Sequence, residues 1–79
     1  MMTDYVPIDC GLHSEYELAI MHRNKLQLTW RDDRGTVHLE VLTPIDLRTR
    51  HGEEFMRVRD REGVEQEIRL DYILRHNPA

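Results

Sequence analysis

Cys10 and His13 stand three apart, and His22, His38, His51 and His76 are scattered along the rest of the chain. A structural zinc site needs four converging ligands, and a lone Cys-x-x-His without a second pair is a weak signal for one. A Cys–His nucleophile needs an orienting third group and an oxyanion hole, and 79 residues leave little room for an enclosed pocket. Cys10 therefore reads as a small buried residue at the start of a helical turn. There is no glycine-rich phosphate loop and no His-Glu-x-x-His. The sequence thus predicts no catalytic residue, no metal, no cofactor and no enzyme.

Two basic groups invite a nucleic-acid reading. Arg48, Arg50 and His51 crowd one turn, a cluster able to touch a phosphate or an acidic partner, although exposed turns often carry charge for solubility alone. Arg57, Arg59, Arg61 and Arg69 surround Phe55, which offers a ring for base stacking. The competing reading is a solvated face on which Glu65 and Glu67 pair across a hairpin with those arginines. Opposite charges on facing positions are the usual arrangement, so cross-strand pairing is preferred.

The acids have a more uneven distribution. Residues 1–24 carry Asp4, Asp9, Glu15 and Glu17 against Arg23 alone, a net charge of −3. Residues 25–79 carry ten basic and eleven acidic side chains, a net of −1. The negative charge thus gathers around one segment, which also contains a helix-start signal. Ser14 followed by Glu17 reads as a capping box, each side chain bonding the other's backbone N–H. This predicts a helix from about Glu15 to Arg23, with the two glutamates favoured by the positive end of its dipole and Asn24 as a left-handed stop. Leu12, Tyr16, Ala19 and Ile20 share one stripe at helical spacing. Leu18 and Met21 point elsewhere; stripe logic favours both sets packing under the domain, and the sharper alternative is that one set packs inward while the other, rimmed by Glu15 and Glu17, meets a partner.

Around that helix the chain alternates with period two. Val6-Pro7-Ile8 is extended, because Pro7 fixes its own φ and biases Val6 away from helix; Gly11 then permits a turn. Leu26, Leu28 and Trp30 make one strand face, and Val37, Leu39 and Val41 the next alternation. Pro44 marks an edge, a bulge or a break. Ile45 and Leu47, then Met56 and Val58, then Gln66, Ile68 and Leu70 continue the pattern, with turns at Asp32-Asp33-Arg34-Gly35, Arg48–Gly52 and Asp60–Gly63. Asp71–Leu74 reads as a last strand or a 3₁₀ turn. The expected fold is mainly β (α+β): an N-terminal helix packed on a small, strongly bent antiparallel barrel. Sm-like and SH3-like barrels fit best, with an OB-type barrel next, because the helix precedes the strands.

Length and composition suit a single domain over residues 1–79, with a core near the lower limit for independent folding and loose tails at about 1–4 and 76–79. A third of the residues are charged and the net charge is −4, which makes free nucleic acid a poor default partner. One cysteine excludes an intrachain disulfide and suits a reducing cytosol. The N-terminus lacks a signal-peptide pattern, and no apolar run approaches the roughly 20 residues that span a bilayer.

Tyr5-x-Pro7-Ile8-x-Cys10, Tyr16-Glu17-Leu18-Ala19, Leu26-x-Leu28-Thr29, Asp33-x-Gly35 and Ile68-Arg69-Leu70-Asp71-x-Ile73 together resemble the Rho-binding antiterminator family (Rof or YaeO type). The resemblance spans Tyr5 to Ile73 in order. It implies a small acidic bacterial protein with an N-terminal helix on an Sm-like barrel that is not an enzyme. A cytoplasmic location is expected from the lone cysteine, and charged sheet edges suit a monomer, although Sm-like folds often form rings. The resemblance further implies that the partner is the transcription termination factor Rho, whose N-terminal RNA-binding domain such proteins cover, so blocking RNA loading. Carried over by position, the implied partner surface is Asp9, His13, Ser14, Glu15 and Glu17, with a second contact from Arg48, Arg50 and His51. The sequence departs from the family at Gly11 and Leu12, where acidic residues are usual, and at His13, where an aromatic is. The alternative function is an Sm-like RNA-binding module acting through the Arg48–His51 turn or the Phe55 face.

Overall fold

The computed structural model describes residues 4–79. A single helix, α1 (Cys10–His22), precedes strands β1 (Leu26–Arg31), β2 (Val37–Arg50), β3 (Glu53–Arg59), β4 (Glu65–Arg69) and β5 (Ile73–Pro78). A 3₁₀ turn over Leu70–Tyr72 joins β4 to β5. The strands form one antiparallel sheet in the order β4-β3-β2-β1-β5. This is a mostly-β α+β fold, as the periodicity predicts. The ladders run from β4 to β5 without pairing those two strands to each other.

The sheet owes its bend to β2. Its first half, Val37–Leu42, pairs with β1, and its second half, Thr43–Arg50, pairs with β3. The break in register falls between Pro44 and Asp46. A proline has no N–H for the ladder, so a bulge at this point lets one long strand serve two halves of a folded sheet. Of the three options the sequence left at Pro44, the bulge is the one adopted.

Two turns are built alike. In each, an aspartate carboxylate oxygen accepts two backbone N–H bonds: Asp32 from Arg34 and Thr36, Asp60 from Glu62 and Val64. Gly35 and Gly63 close these turns at φ 83° and 86°, where a Cβ is strained. The β2–β3 turn is shorter than the basic stretch suggested. Arg50 pairs with Glu53 in the ladder, leaving only His51 and Gly52 between strands. Both have positive φ, as a two-residue type I′ hairpin turn requires.

The core sits between α1 and the concave side of the sheet. Tyr16 and Ala19 of α1 meet Leu26, Leu28, Trp30, Leu42, Met56, Val58, Ile68 and Leu70, with Leu12 and Leu47 packed at its margin. Burying a side chain such as Leu28 or Met56 completely contributes about 1.5–3 kcal/mol. By contrast Val37, Leu39 and Val41 stay on the outer, exposed face, and it is Leu42 that turns inward.

The ends of the chain depart from expectation. Of the predicted N-terminal tail, residues 1–3 lie outside the described residues, but Asp4 ion-pairs with Arg69 at 2.8 Å. The predicted C-terminal tail completes β5, whose His76, Asn77 and Pro78 pair with Leu28, Gln27 and Leu26. Ala79 still donates to the Lys25 carbonyl at 3.1 Å.

Candidate functional site

The helix begins five residues before the predicted start. Asp9 is the N-cap; its Oδ1 accepts from the Leu12 N–H at 2.8 Å. Asp and Ser are near-equal caps, so local preference does not choose between Asp9 and Ser14. Packing does, because starting at Cys10 adds a turn that carries Leu12 to the core. The capping box is thereby overturned. Ser14 is an exposed residue inside α1, and Glu15 and Glu17 lie beyond the first turn, which contains no acidic residue. Gly11 is helical rather than a hinge, and Cys10 is exposed rather than buried. The left-handed stop is Arg23 (φ 56°), one residue before Asn24.

The stripe assignment fares better. Tyr16 and Ala19 are buried, and burial, followed by the Glu15 charge, pushes the Tyr16 hydroxyl up to about 12. Leu18 and Met21 remain outside, 51 % and 71 % exposed, so only one of the two sets packs under the domain. Glu15 and Glu17 flank them and are also largely exposed. Glu15 has one neighbour of opposite kind, His76 on β5 at 3.4 Å. Glu17 has His13, at 2.6 Å. No arginine or lysine pairs with either glutamate among the described residues.

His13 does more than decorate the helix. Its Nδ1 bonds Glu17 on α1, and its Nε2 bonds Glu54 on β3 at 2.9 Å. Ionised carboxylates only accept, so both ring nitrogens must donate, and that is the imidazolium form. Partial burial opposes this charge, but the two carboxylates outweigh it and raise the His13 pKa above its ordinary value. His13 is therefore a tie between the helix and the start of β3 rather than a free contact residue.

A groove runs along each flank of α1. One, of about 510 Å³, lies toward β5 and includes Glu15, Leu18, Lys25 and His76. The other, of about 380 Å³, lies toward β2 and includes His13, Glu17, Ile20, Met21, Asp46 and Leu47. The helix thus stands as a ridge between two depressions: Leu18 and Met21 are its exposed apolar residues, with Glu15 on the side toward β5 and Glu17 on the side toward β2.

The basic candidates are largely spoken for. Arg50 reaches over the Phe55 ring, 4.7 Å from its centroid, to bond Glu67. Arg57 and Arg59 both bond Glu65, at 2.9 and 2.8 Å. Arg48 lies 3.6 Å from Asp46. The cross-strand pairing expected for Glu65 is present, whereas Glu67 turns to β2 instead of β3. His51 occupies the hairpin turn in the left-handed region. Among the described residues no cluster of three or more His, Cys, Asp or Glu side chains is placed to hold a metal ion.

The sequence reading missed a polar centre on the far side of the N-terminal segment. Arg69, only 9 % exposed, makes two bonds to Asp71 at 2.6 and 2.7 Å and a third to Asp4 at 2.8 Å, with Glu53 at 3.4 Å. Its guanidinium lies over the Tyr72 ring at 4.2 Å and the Tyr5 ring at 5.7 Å. Asp71 also accepts from the Val6 N–H at 3.0 Å. The segment leading into α1 is pinned to the β4–β5 junction by this arrangement. Burial would raise the Asp71 pKa, but Arg69 and the Val6 N–H hold it below the usual carboxylate value. A signal was available: a lone Arg-Leu-Asp following an alternating strand places both charges at a strand end, next to the aromatic pair.

No protein-family model matches the chain, and no curated protein matches it in sequence. No helix among the described residues is long and apolar enough to cross a membrane.

Proposed function

We propose that this chain is a protein-binding inhibitor of the transcription termination factor Rho. It occupies the RNA-binding surface of the Rho N-terminal domain and reduces termination by preventing RNA loading. In this reading the bent sheet is an Sm-like barrel, and the protein works in the cytoplasm as a monomer without a cofactor. The observation that carries it is the outer face of α1: Leu18 and Met21 exposed, with Glu15 and Glu17 on either side and, among the described residues, no arginine or lysine paired with either acid. Such a face offers apolar area to bury and negative charge to attract a cationic surface that normally holds phosphates. The Tyr5, Arg69 and Asp71 positions, which carry part of the family resemblance, fall at the N-terminal segment and its anchor, next to the start of α1.

The RNA-binding alternative is disfavoured by ion pairing. Arg50, Arg57 and Arg59 each already hold a glutamate of β4, so phosphate would have to displace a carboxylate. A pull-down on the Rho N-terminal domain with the Glu15→Lys/Glu17→Lys double variant tests the proposal, with circular dichroism as a folding control because Glu17 also holds His13. Binding is expected to fall at least about tenfold, as reversing two rim charges alters electrostatic complementarity. Full retention by a folded double variant contradicts it.

A further inference from the structure

The flank of α1 that faces β2 has a composition unlike the rest of the surface. Its apolar lining is Ile20 and Leu47, with the exposed Met21 at its rim, and the carboxylates of Glu17 from the helix and Asp46 from β2 border the same groove. Neither acid is fully engaged. Glu17 bonds His13 through Oε1 only; Asp46 accepts from the Leu47 N–H through Oδ1 at 2.9 Å, and its Oδ2 lies 3.6 Å from the Arg48 Nε, longer than a hydrogen bond. A purely apolar ligand would leave both carboxylates facing it, and a small cation would leave the apolar lining wet.

From this juxtaposition we propose that the groove receives an arginine side chain from a protein partner. The aliphatic stem lies along Ile20, Met21 and Leu47, and the guanidinium reaches the carboxylates of Glu17 and Asp46. Long cationic side chains bury their stems on apolar surface while keeping the charged head at the rim. Arginine is preferred to lysine for two reasons. Its planar fork can meet two carboxylates at once, and it is more weakly hydrated than an ammonium, so less is lost on leaving water. The groove, at about 380 Å³, has room for one such side chain. The identity of the partner rests on the Rho reading above; the ligand chemistry of the groove does not.

Nuclear magnetic resonance with Nα-acetyl-arginine amide separates the two. The expected result is saturable shifts centred on the Ile20, Met21 and Leu47 methyl signals, with the lysine analogue at least about threefold weaker. Asp46→Asn is expected to weaken the arginine probe by about three- to tenfold, and Met21→Ala, at an exposed helical position, to weaken it without loss of fold. Shifts centred elsewhere, equal affinity for a neutral norvaline amide, or an unchanged affinity in Asp46→Asn each overturn the proposal. In a second arm the Met21→Ala/Asp46→Asn variant is titrated with the Rho N-terminal domain. If wild type binds and the variant binds equally well, the groove is not where the partner's arginine goes. If neither binds Rho while the arginine probe still seats in the groove, the Rho reading falls and the arginine site stands.

Discussion

Replacing Arg69 by Leu is expected to cost this protein a large part of its stability. The guanidinium is nearly buried, and the side chain of Asp71 that it holds is 7 % exposed. Removing one member of a buried pair strands the other charge, at about 3–5 kcal/mol. A chain of 79 residues has roughly 4–12 kcal/mol in total at ~0.05–0.15 kcal/mol per residue. Arg69→Leu should therefore populate the unfolded state measurably even without denaturant if the domain sits near the lower end. Asp4 is the internal control: its side chain is 81 % exposed, and Asp4→Ala forfeits a pair of the kind worth roughly 0–1 kcal/mol. Urea denaturation followed by the fluorescence of Trp30, the one tryptophan and itself buried, reports both. Arg69→Leu/Asp71→Leu should recover much of the loss, because apolar replacement of both partners removes the stranded charge. Equal midpoints for Arg69→Leu and Asp4→Ala would refute the claim that this centre anchors the segment before α1.

Three further outcomes follow from named contacts. His13 has a raised pKa in the fold, so its contribution is complete below its ordinary 6.5 and disappears as pH rises through the higher folded value. The stability difference between wild type and His13→Gln should shrink as pH rises from below 6.5 through the raised folded value, and a constant difference would contradict the doubly bonded imidazolium. Asp71 behaves in the opposite sense. Its pKa is lowered from 3.8, so its contribution is complete above that value and is lost as pH falls through the folded one; an acid titration of the fold should show Asp71→Asn less sensitive than wild type. Gly63→Ala meets no neighbouring atom but must hold φ at +86°, so it should cost roughly 1–2 kcal/mol in thermal denaturation through backbone strain alone.

The strand pattern was readable because it repeats a local rule. Leu26, Leu28 and Trp30 alternate with polar neighbours, and so do Met56 and Val58, and all five are buried. The turns at Gly35 and Gly63 were readable because glycine after aspartate has a mechanism as well as a statistic. Helix caps were not, since Asp9 and Ser14 are competent caps and the choice was made by Leu12 finding the core, a tertiary fact. The inward face of β2 was obscured for a related reason: Val37, Leu39 and Val41 look like core, yet strand orientation is set by Leu42 and by the bulge after Pro44. Of the implied partner surface, Ser14, Glu15 and Glu17 are exposed on α1, while Asp9 caps the helix and His13 bridges two glutamates. Arg50 holds Glu67, and Arg48 and His51 lie at the far end of β2 and in its turn. The Arg69 centre escaped notice because its members, Asp4, Glu53, Arg69 and Asp71, are separated by up to 67 positions and only folding brings them together.

In the function proposed above, the exposed face of α1 displaces RNA from the Rho N-terminal domain. Fluorescence anisotropy of a labelled single-stranded oligoribonucleotide bound to that domain measures this directly. Titration with wild-type protein should release the RNA completely, and Glu15→Lys/Glu17→Lys should require far higher concentrations. RNA that stays bound at saturating wild-type protein, or that both proteins release equally well, would contradict it.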